Sequence, residues 1–466
     1  MAFVATPVIF GFLLFICQLI ARNRYKDDPI SRKWFVRGFL VKAAGALLLG
    51  IIYYFYYGGG DTNAYFQDAQ VVSSVLLEDP ASGLKLWARP DPRSLEARHF
   101  LIKIRSRHST FETSYLRDSK AFFVAQLLVP LCLLSIQTYF GLALYIAFFS
   151  HLGLWCLYRV VIRLYPAAQE NIVLFIYLTP STIIWGSGIL KDSITLSAMG
   201  VFLYALFYFF DSKFRKIFLV PIAVLCAYIV LNIKPYIAYS FIPSMFIFCY
   251  QATIQNTIKR NSLAVLNPVF LPLVLVSAFL ILSLVSREKN ALTDFLLDAQ
   301  EKQHDLEQSY YYTQTTGSTY HIPKYEPDLF GLLSVAPTAL VATYLRPWMW
   351  EAKNPLMFMA ALESAAVLGF ILFVLWYVGL GRAFRIIYKD PYLIFAFISS
   401  LLFGIFVGIS SGNFGNLVRY KIPALPFLIT GLYILYHKGR NVSVSFRMKQ
   451  RQLIEQRRLT TNDLTV

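Results

Sequence analysis

The sequence predicts an all-α polytopic membrane protein with about 11 transmembrane helices, one re-entrant or interfacial half-helix and two large extracytoplasmic loops. Three observations predict it. Of 466 residues, 57% are apolar and only 15% charged, against roughly 45–50% and 25% in soluble domains. The apolar residues arrive in blocks of about 18–22, and about 20 helical residues rise the ~30 Å of a bilayer core. The net charge of +17 gathers in short connections between those blocks, the pattern the positive-inside rule produces.

The elements follow in order. The first run, Phe3 to Ala21, lacks a basic leader and a small-residue cleavage site, so a permanent helix is expected at 3–21. Arg22, Arg24, Lys26, Arg32, Lys33 and Arg37 mark an inner connection before a helix at 38–57. An outer loop over 58–120 comes next, then apolar segments at 122–136, 139–162 and 171–188. Three crossings there would put the loop and Asp192 on opposite faces, whereas the charge pattern puts both outside. Segment 122–136 is the shortest and is interrupted by Gln126 and Pro130, so it is the expected half-helix. Taking it as non-crossing also leaves Arg159 and Arg163 inside.

Further spans are expected at 192–210, 217–233, 236–253, 264–285, 355–378, 391–410 and 422–437, with a second outer loop at 286–354. Lys213, Arg215 and Lys216, then Lys259 and Arg260, then Arg382, Arg385 and Lys389 label inner connections. Residues 1–437 thus read as a single transmembrane domain carrying both loop insertions, and 438–466 as a basic cytoplasmic tail. The location of the charge makes it a topology label and argues against nucleic acid as a partner. Cys17, Cys132, Cys156, Cys226 and Cys249 all lie inside apolar runs without pairwise motifs, which sets aside disulfides and zinc. No phosphate-binding loop, His-Glu-x-x-His or dinucleotide fingerprint is present, against ATP-driven transport and zinc proteolysis.

Four constellations carry candidate chemistry. Gly58-Gly59-Gly60-Asp61, followed by Tyr65, opens the first outer loop after the aromatic run Tyr53 to Tyr57. Three glycines free the backbone to present the carboxylate close to a bulky substrate. Desolvation at a cavity mouth would raise the Asp61 pKa into a useful range for a general base. A metal ligand and a helix N-cap are the other readings of Asp61. The second constellation is the Gly-rich break Trp185-Gly186-Ser187-Gly188 leading to Lys191 and Asp192. Ionisable residues at a membrane surface usually face a cavity or a partner, so Lys191 is a candidate for a phosphate and Asp192 for an acceptor, a metal or Lys191 itself.

The third is Arg346-Pro347-Trp348-Met349-Trp350-Glu351, with Glu363 in the next helix. Arg holds phosphate bidentately, and Trp rings stack on sugar faces or sit in the interface. The fourth is Arg419-Tyr420-Lys421-Ile422-Pro423, where a short translocated loop keeps two cations against the positive-inside tendency. The basic stretch Arg98 to His108, Tyr310 to Tyr312, Tyr320 and His321 are lesser candidates for surface or sugar contact, and His151 reads as a satisfied core histidine.

Together these residues resemble the membrane glycosyltransferases of the GT-C superfamily and related polysaccharide-assembly, polymerase-like proteins of bacteria. The first-loop acid of that group matches Asp61, and the Gly-Ser-Gly-x-x-Lys-Asp stretch looks like its later acidic position at Asp192. The segments at Arg346 and Arg419 resemble basic segments of cell-surface polysaccharide proteins. The resemblance implies a polyprenyl-phosphate-linked sugar donor, a glycan or lipid-linked acceptor and a place in the bacterial cytoplasmic membrane. It implies catalytic roles for Asp61 and Asp192, phosphate contact for Lys191, Arg346, Arg419 and Lys421, and sugar or lipid contact for Tyr65, Trp348, Glu351 and Tyr420. No Asp-x-Asp or Asp-Glu pair follows the glycines, so no cofactor is implied and a divalent metal stays open. The rival readings are a polymerase joining lipid-linked repeat units, a transporter or flippase of lipid-linked sugars, and a structural or assembly partner.

Overall fold

The computed structural model describes residues 2–88, 94, 96, 98, 100, 102, 115–254, 291–313, 320 and 322–441. Those residues contain helices and no strands. In chain order the helices are α1 (Ala2–Arg24), α2 (Pro29–Ile51, continued by a π turn at Ile52–Tyr56), α3 (Asp61–Glu78), α4 (Pro80–Ala88), α5 (Ser119–Leu134) and α6 (Tyr139–Leu164). Next come α7 (Gln169–Tyr177), α8 (Pro180–Ile184), α9 (Lys191–Asp211), α10 (Leu219–Ile233), α11 (Pro235–Ile254) and α12 (Ala291–Thr313). The rest are α13 (Leu329–Leu345), α14 (Pro355–Val378), α15 (Leu380–Tyr388), α16 (Pro391–Ser410), α17 (Phe414–Tyr420) and α18 (Leu425–Asn441).

Among the described residues six helices are long and apolar enough to cross a membrane: α1, α2 with its π turn, α6, α9, α14 and α16. The pair α17 and α18, bent by 60°, passes the same test as one broken span. Their outward faces are apolar, as a lipid solvent requires. Val4, Val8, Phe12, Phe15 and Leu19 form an exposed stripe on α1, and Phe358, Leu362, Leu372, Phe373 and Trp376 do so on α14. Stripes of this size are not left to water. The chain is therefore an all-helical, multi-pass membrane protein.

The connections sort to two ends of the bundle. At one end Asp28 caps α2 and meets Arg159, Arg163 meets Asp211, and Asp390 is held by Tyr165 and Lys438. The sequence assigns every one of these residues to an inner connection or its edge. The other end gathers Asp61, Asp192, Lys234, Arg346 and Arg419.

Two expectations need correction. The span expected at 171–188 is broken into α7 and the five-residue α8, followed by a non-helical Trp185–Leu190 link. Pro180 supplies the break, because it lacks an N–H and disfavours helix in the residue before it. The outer loop 58–120 is not a loop in its first half but a helical pair, α3 and α4. Segment 122–136 is the 16-residue α5. It starts beside Lys120, which shares a cavity with Lys191, and leads into α6, whose first residue Tyr139 packs against Gly50 near the end of α2. The span 264–285, most of the stretch Arg98–His108, His321 and most of the tail 438–466 lie outside the described residues, as do the side chains of Tyr310 to Tyr312.

Candidate functional site

Gly58, Gly59 and Gly60 all have positive φ, at 66°, 152° and 118°. That backbone turns the chain sharply out of α2 and into α3 with little steric penalty. A Cβ at Gly60 would also stand 2.9 Å from the Tyr53 ring. The Gly60 carbonyl accepts the first helical N–H groups, from Asn63 and Ala64, so Asp61 is the first residue of α3 and not its cap. Its carboxylate is left for the site. Oδ1 accepts from the Tyr115 hydroxyl at 2.8 Å and Oδ2 from Arg419 Nη1 at 2.8 Å.

Arg419 is the hub. Its guanidinium, 13% exposed, also donates to the Tyr53 hydroxyl at 3.2 Å and to Asn416 Oδ1 at 2.8 Å. Tyr115 is fixed in turn by α3: its backbone N–H donates to Asp68 Oδ2 at 2.9 Å, and its ring stacks on Tyr65 at 4.9 Å. Burial works to raise the Asp61 pKa, but the Arg419 charge and the hydrogen bonds from Arg419 and Tyr115 outweigh it and hold the carboxyl below its ordinary value. This corrects the expectation that desolvation would raise it. Burial and then the Asp61 charge push the Tyr115 phenol well above its ordinary value, so it stays a donor.

Asp192 is buried and ion-paired with Lys234, not with its neighbour Lys191. The Lys234 ammonium also lies 4.0 Å from the centre of the Tyr420 ring, a cation–π contact that ties α17 to the α10–α11 junction. Lys191 sits over the Tyr65 ring at 5.8 Å and faces a cavity of 480 Å³. Lys120, Lys234, Lys302, Asp118, Asp298, Tyr236 and Tyr420 also line that chamber. Lys120 in addition lines a 470 Å³ groove formed with Trp87, Phe123, Leu127 and Tyr228. On the other side of Arg419 lies a smaller cavity of 190 Å³ with Tyr53, Tyr57, Trp185, Asn354, Asn413 and Asn416 in its walls.

Two of the expected phosphate residues are engaged elsewhere. Arg346 pairs with Glu351, whose Oε2 also accepts the Trp348 N–H, and its guanidinium lies 4.8 Å from the Phe414 ring. It backs α17 without lining any of the three cavities. Trp348 stacks on Trp350 at 5.6 Å. Lys421 is 0% exposed and donates to Ser364 at 2.9 Å, with Glu363 at 3.9 Å. It belongs to the packing between α14 and α17. Asp61, Tyr65, Lys191, Asp192, Arg419 and Tyr420 do come together, whereas Arg346, Trp348, Glu351 and Lys421 form supports.

Sequence reasoning missed Tyr53, Tyr115, Lys120 and Lys234 as site residues. Lys234 had a signal: a lysine in a two-residue outer connection defies the positive-inside tendency as Arg419 does. His151 is buried with Nδ1 at 2.9 Å from the Tyr177 hydroxyl, as a core histidine. Among the described residues no three His, Cys, Asp or Glu side chains converge as a metal-ligand set. The fold and site define a multi-pass helical membrane protein with a charged, two-cavity site at one end. No protein family, curated protein or solved structure matches the chain.

Proposed function

We propose that the protein is a membrane glycosyltransferase that takes a sugar from a polyprenyl-phosphate-linked donor at the outer face of a bacterial cytoplasmic membrane, within a fold of about eleven crossings. The product belongs to cell-surface polysaccharide or glycoconjugate assembly. The observation that carries the reading is the Asp61–Arg419 pair. Arg419 lines the small cavity, and Lys191, over Tyr65 one turn along α3 from Asp61, lines the large one. A carboxylate paired with Arg419, close to a chamber walled by lysines and to an aromatic cavity, suits transfer from a phosphate to a hydroxyl.

In the transfer, the acceptor hydroxyl oxygen bonds to the anomeric carbon as the bond from that carbon to the phosphate oxygen breaks. The phosphate leaves with the bonding electron pair, and the hydroxyl proton passes to Asp61. Lys120, Lys191, Lys234 and Lys302 supply positive charge where the leaving phosphate develops negative charge. The groove that shares Lys120 accommodates the first part of the prenyl chain. Asp61 is a poor base while Arg419 holds it. A substrate oxygen entering the small cavity that Arg419 lines competes for that cation, and burial then lifts the carboxyl toward basicity. The substrate itself therefore arms the base.

The test is incorporation of labelled sugar from polyprenyl-linked donors by purified protein in proteoliposomes. Wild type yields a glycosidic product, and Asp61→Asn loses about 10²–10⁴-fold in rate. Full activity in Asp61→Asn would remove the base assignment. A product chain built by joining lipid-linked repeat units would identify a polymerase, and movement of the donor across the bilayer with no new glycosidic bond would identify a transporter.

A further inference from the structure

The 190 Å³ cavity beside Arg419 has an unusual balance of hydrogen-bonding groups. Asn354 accepts the Met357 N–H at 2.8 Å, Asn413 accepts the Gly415 N–H at 2.7 Å, and Asn416 accepts from Arg419 at 2.8 Å. Those bonds fix each amide with its oxygen turned to the protein, which leaves each NH₂ group as a donor for the cavity. Trp185, 5% exposed, adds an aromatic ring to the same wall. No acidic side chain lines the cavity. The free side-chain groups are therefore rich in donors and poor in acceptors.

A neutral sugar hydroxyl must donate its own proton as well as accept, and this wall offers few places for it. A carboxylate only accepts. The rest of the wall is built for a ring: Tyr53 packs edge-on against Tyr57 at 5.3 Å and against Trp185 at 6.2 Å. A volume of 190 Å³ lies below the ~300–1,000 Å³ of pockets for larger ligands, so it suits one ring. We propose that this cavity binds a single carboxylate-bearing sugar residue, with its carboxylate between Asn354 and Asn413 and its ring against Tyr53, Tyr57 and Trp185. The protein thereby selects an acidic sugar unit. This deepens the sugar-transfer reading and rests on it.

Binding to the purified full-length protein tests the proposal, with methyl glucuronide, methyl glucoside and inorganic phosphate as probes. The glucuronide binds about tenfold or more tighter than the glucoside, the worth of one hydrogen bond to a charged group. Asn354→Asp and Asn413→Asp each abolish that preference, because aspartate puts a carboxylate where asparagine offers an NH₂ group. Aspartate caps a helix as asparagine does, so these variants keep the fold. Asn413→Ser, which caps without a charge or an NH₂ group, guards against a purely repulsive effect and also loses the preference. Equal binding of the two glycosides, an unchanged preference in the variants, or displacement of glucuronide by an equal concentration of phosphate would each overturn the proposal. Glucuronide binding without any transfer would remove the transferase reading and leave the cavity assigned. Transfer by a protein indifferent to the carboxylate would do the reverse.

Discussion

At Asp61 two influences oppose each other. Burial disfavours the charge, and Arg419 with Tyr115 favours it, with a net lowering of the pKa. A group whose folded pKa lies below its unfolded value of ~3.9 adds stability above that value and loses it as pH falls through the folded one. Arg419→Gln removes the main opposing influence, so burial dominates and the folded pKa of Asp61 rises. The variant should lose less stability than wild type on acidification below about pH 4, measured as melting temperature against pH. A parallel pair of curves would show that the two residues are not coupled. Asp61 and Arg419 were each legible in the sequence, one from its glycines and the other from an outer loop that keeps its cations. Their pairing was not, because 358 positions separate them and no local pattern encodes the contact. The basicity expected of Asp61 failed for the same reason: its partner was out of view.

The element that departs most from the sequence reading is α8, and its seat explains why so short a helix persists. The Glu363 carboxylate accepts the Ser181 N–H at its start at 2.6 Å, and the Lys42 ammonium donates at its end to the carbonyls of Thr182 at 2.7 Å and Gly186 at 2.8 Å. Negative charge at the first turn and positive at the last both oppose the helix dipole favourably. Lys42 is 1% exposed and went unread as a lone charge in an apolar run, although such charges in a span mark a partner. Lys42→Met strands the buried Thr182 carbonyl, at about 1–3 kcal/mol, while the Gly186 carbonyl keeps the Ser150 hydroxyl at 2.6 Å. Glu363→Ala leaves Lys421 buried without a carboxylate, at about 3–5 kcal/mol, whereas Glu363→Leu with Lys421→Met should cost far less. Thermal unfolding of the purified variants checks both, and a double variant as damaged as the single would refute the pairing. Pro180 and the glycines at 186 and 188 announced a break; the sequence did not say that charges from two other helices would hold it.

Across the whole molecule, run length and basic clusters were enough to predict a helical membrane protein with its ends sorted by charge. They were not enough to separate whole spans from broken ones, since hydropathy does not register a bend such as the 60° between α17 and α18. Cysteine labelling reads the sorting directly. In a background lacking the five native cysteines, single cysteines at 59, 118 and 232 should react with an impermeant maleimide from the outer face. Those at 213 and 389 should react only after permeabilisation, and positions 59 and 232 on opposite faces would overturn the arrangement. The Asp61–Arg419 contact also bears on how the chain is made. Membrane helices enter in the order of synthesis, so α3 is in place long before α17 exists. Until the ribosome has passed position 363 α8 lacks Glu363 at its start, and until it has passed position 419 the Asp61 carboxylate has no guanidinium beside it. The Asp61 carboxylate thus acquires its setting only when the last spans arrive.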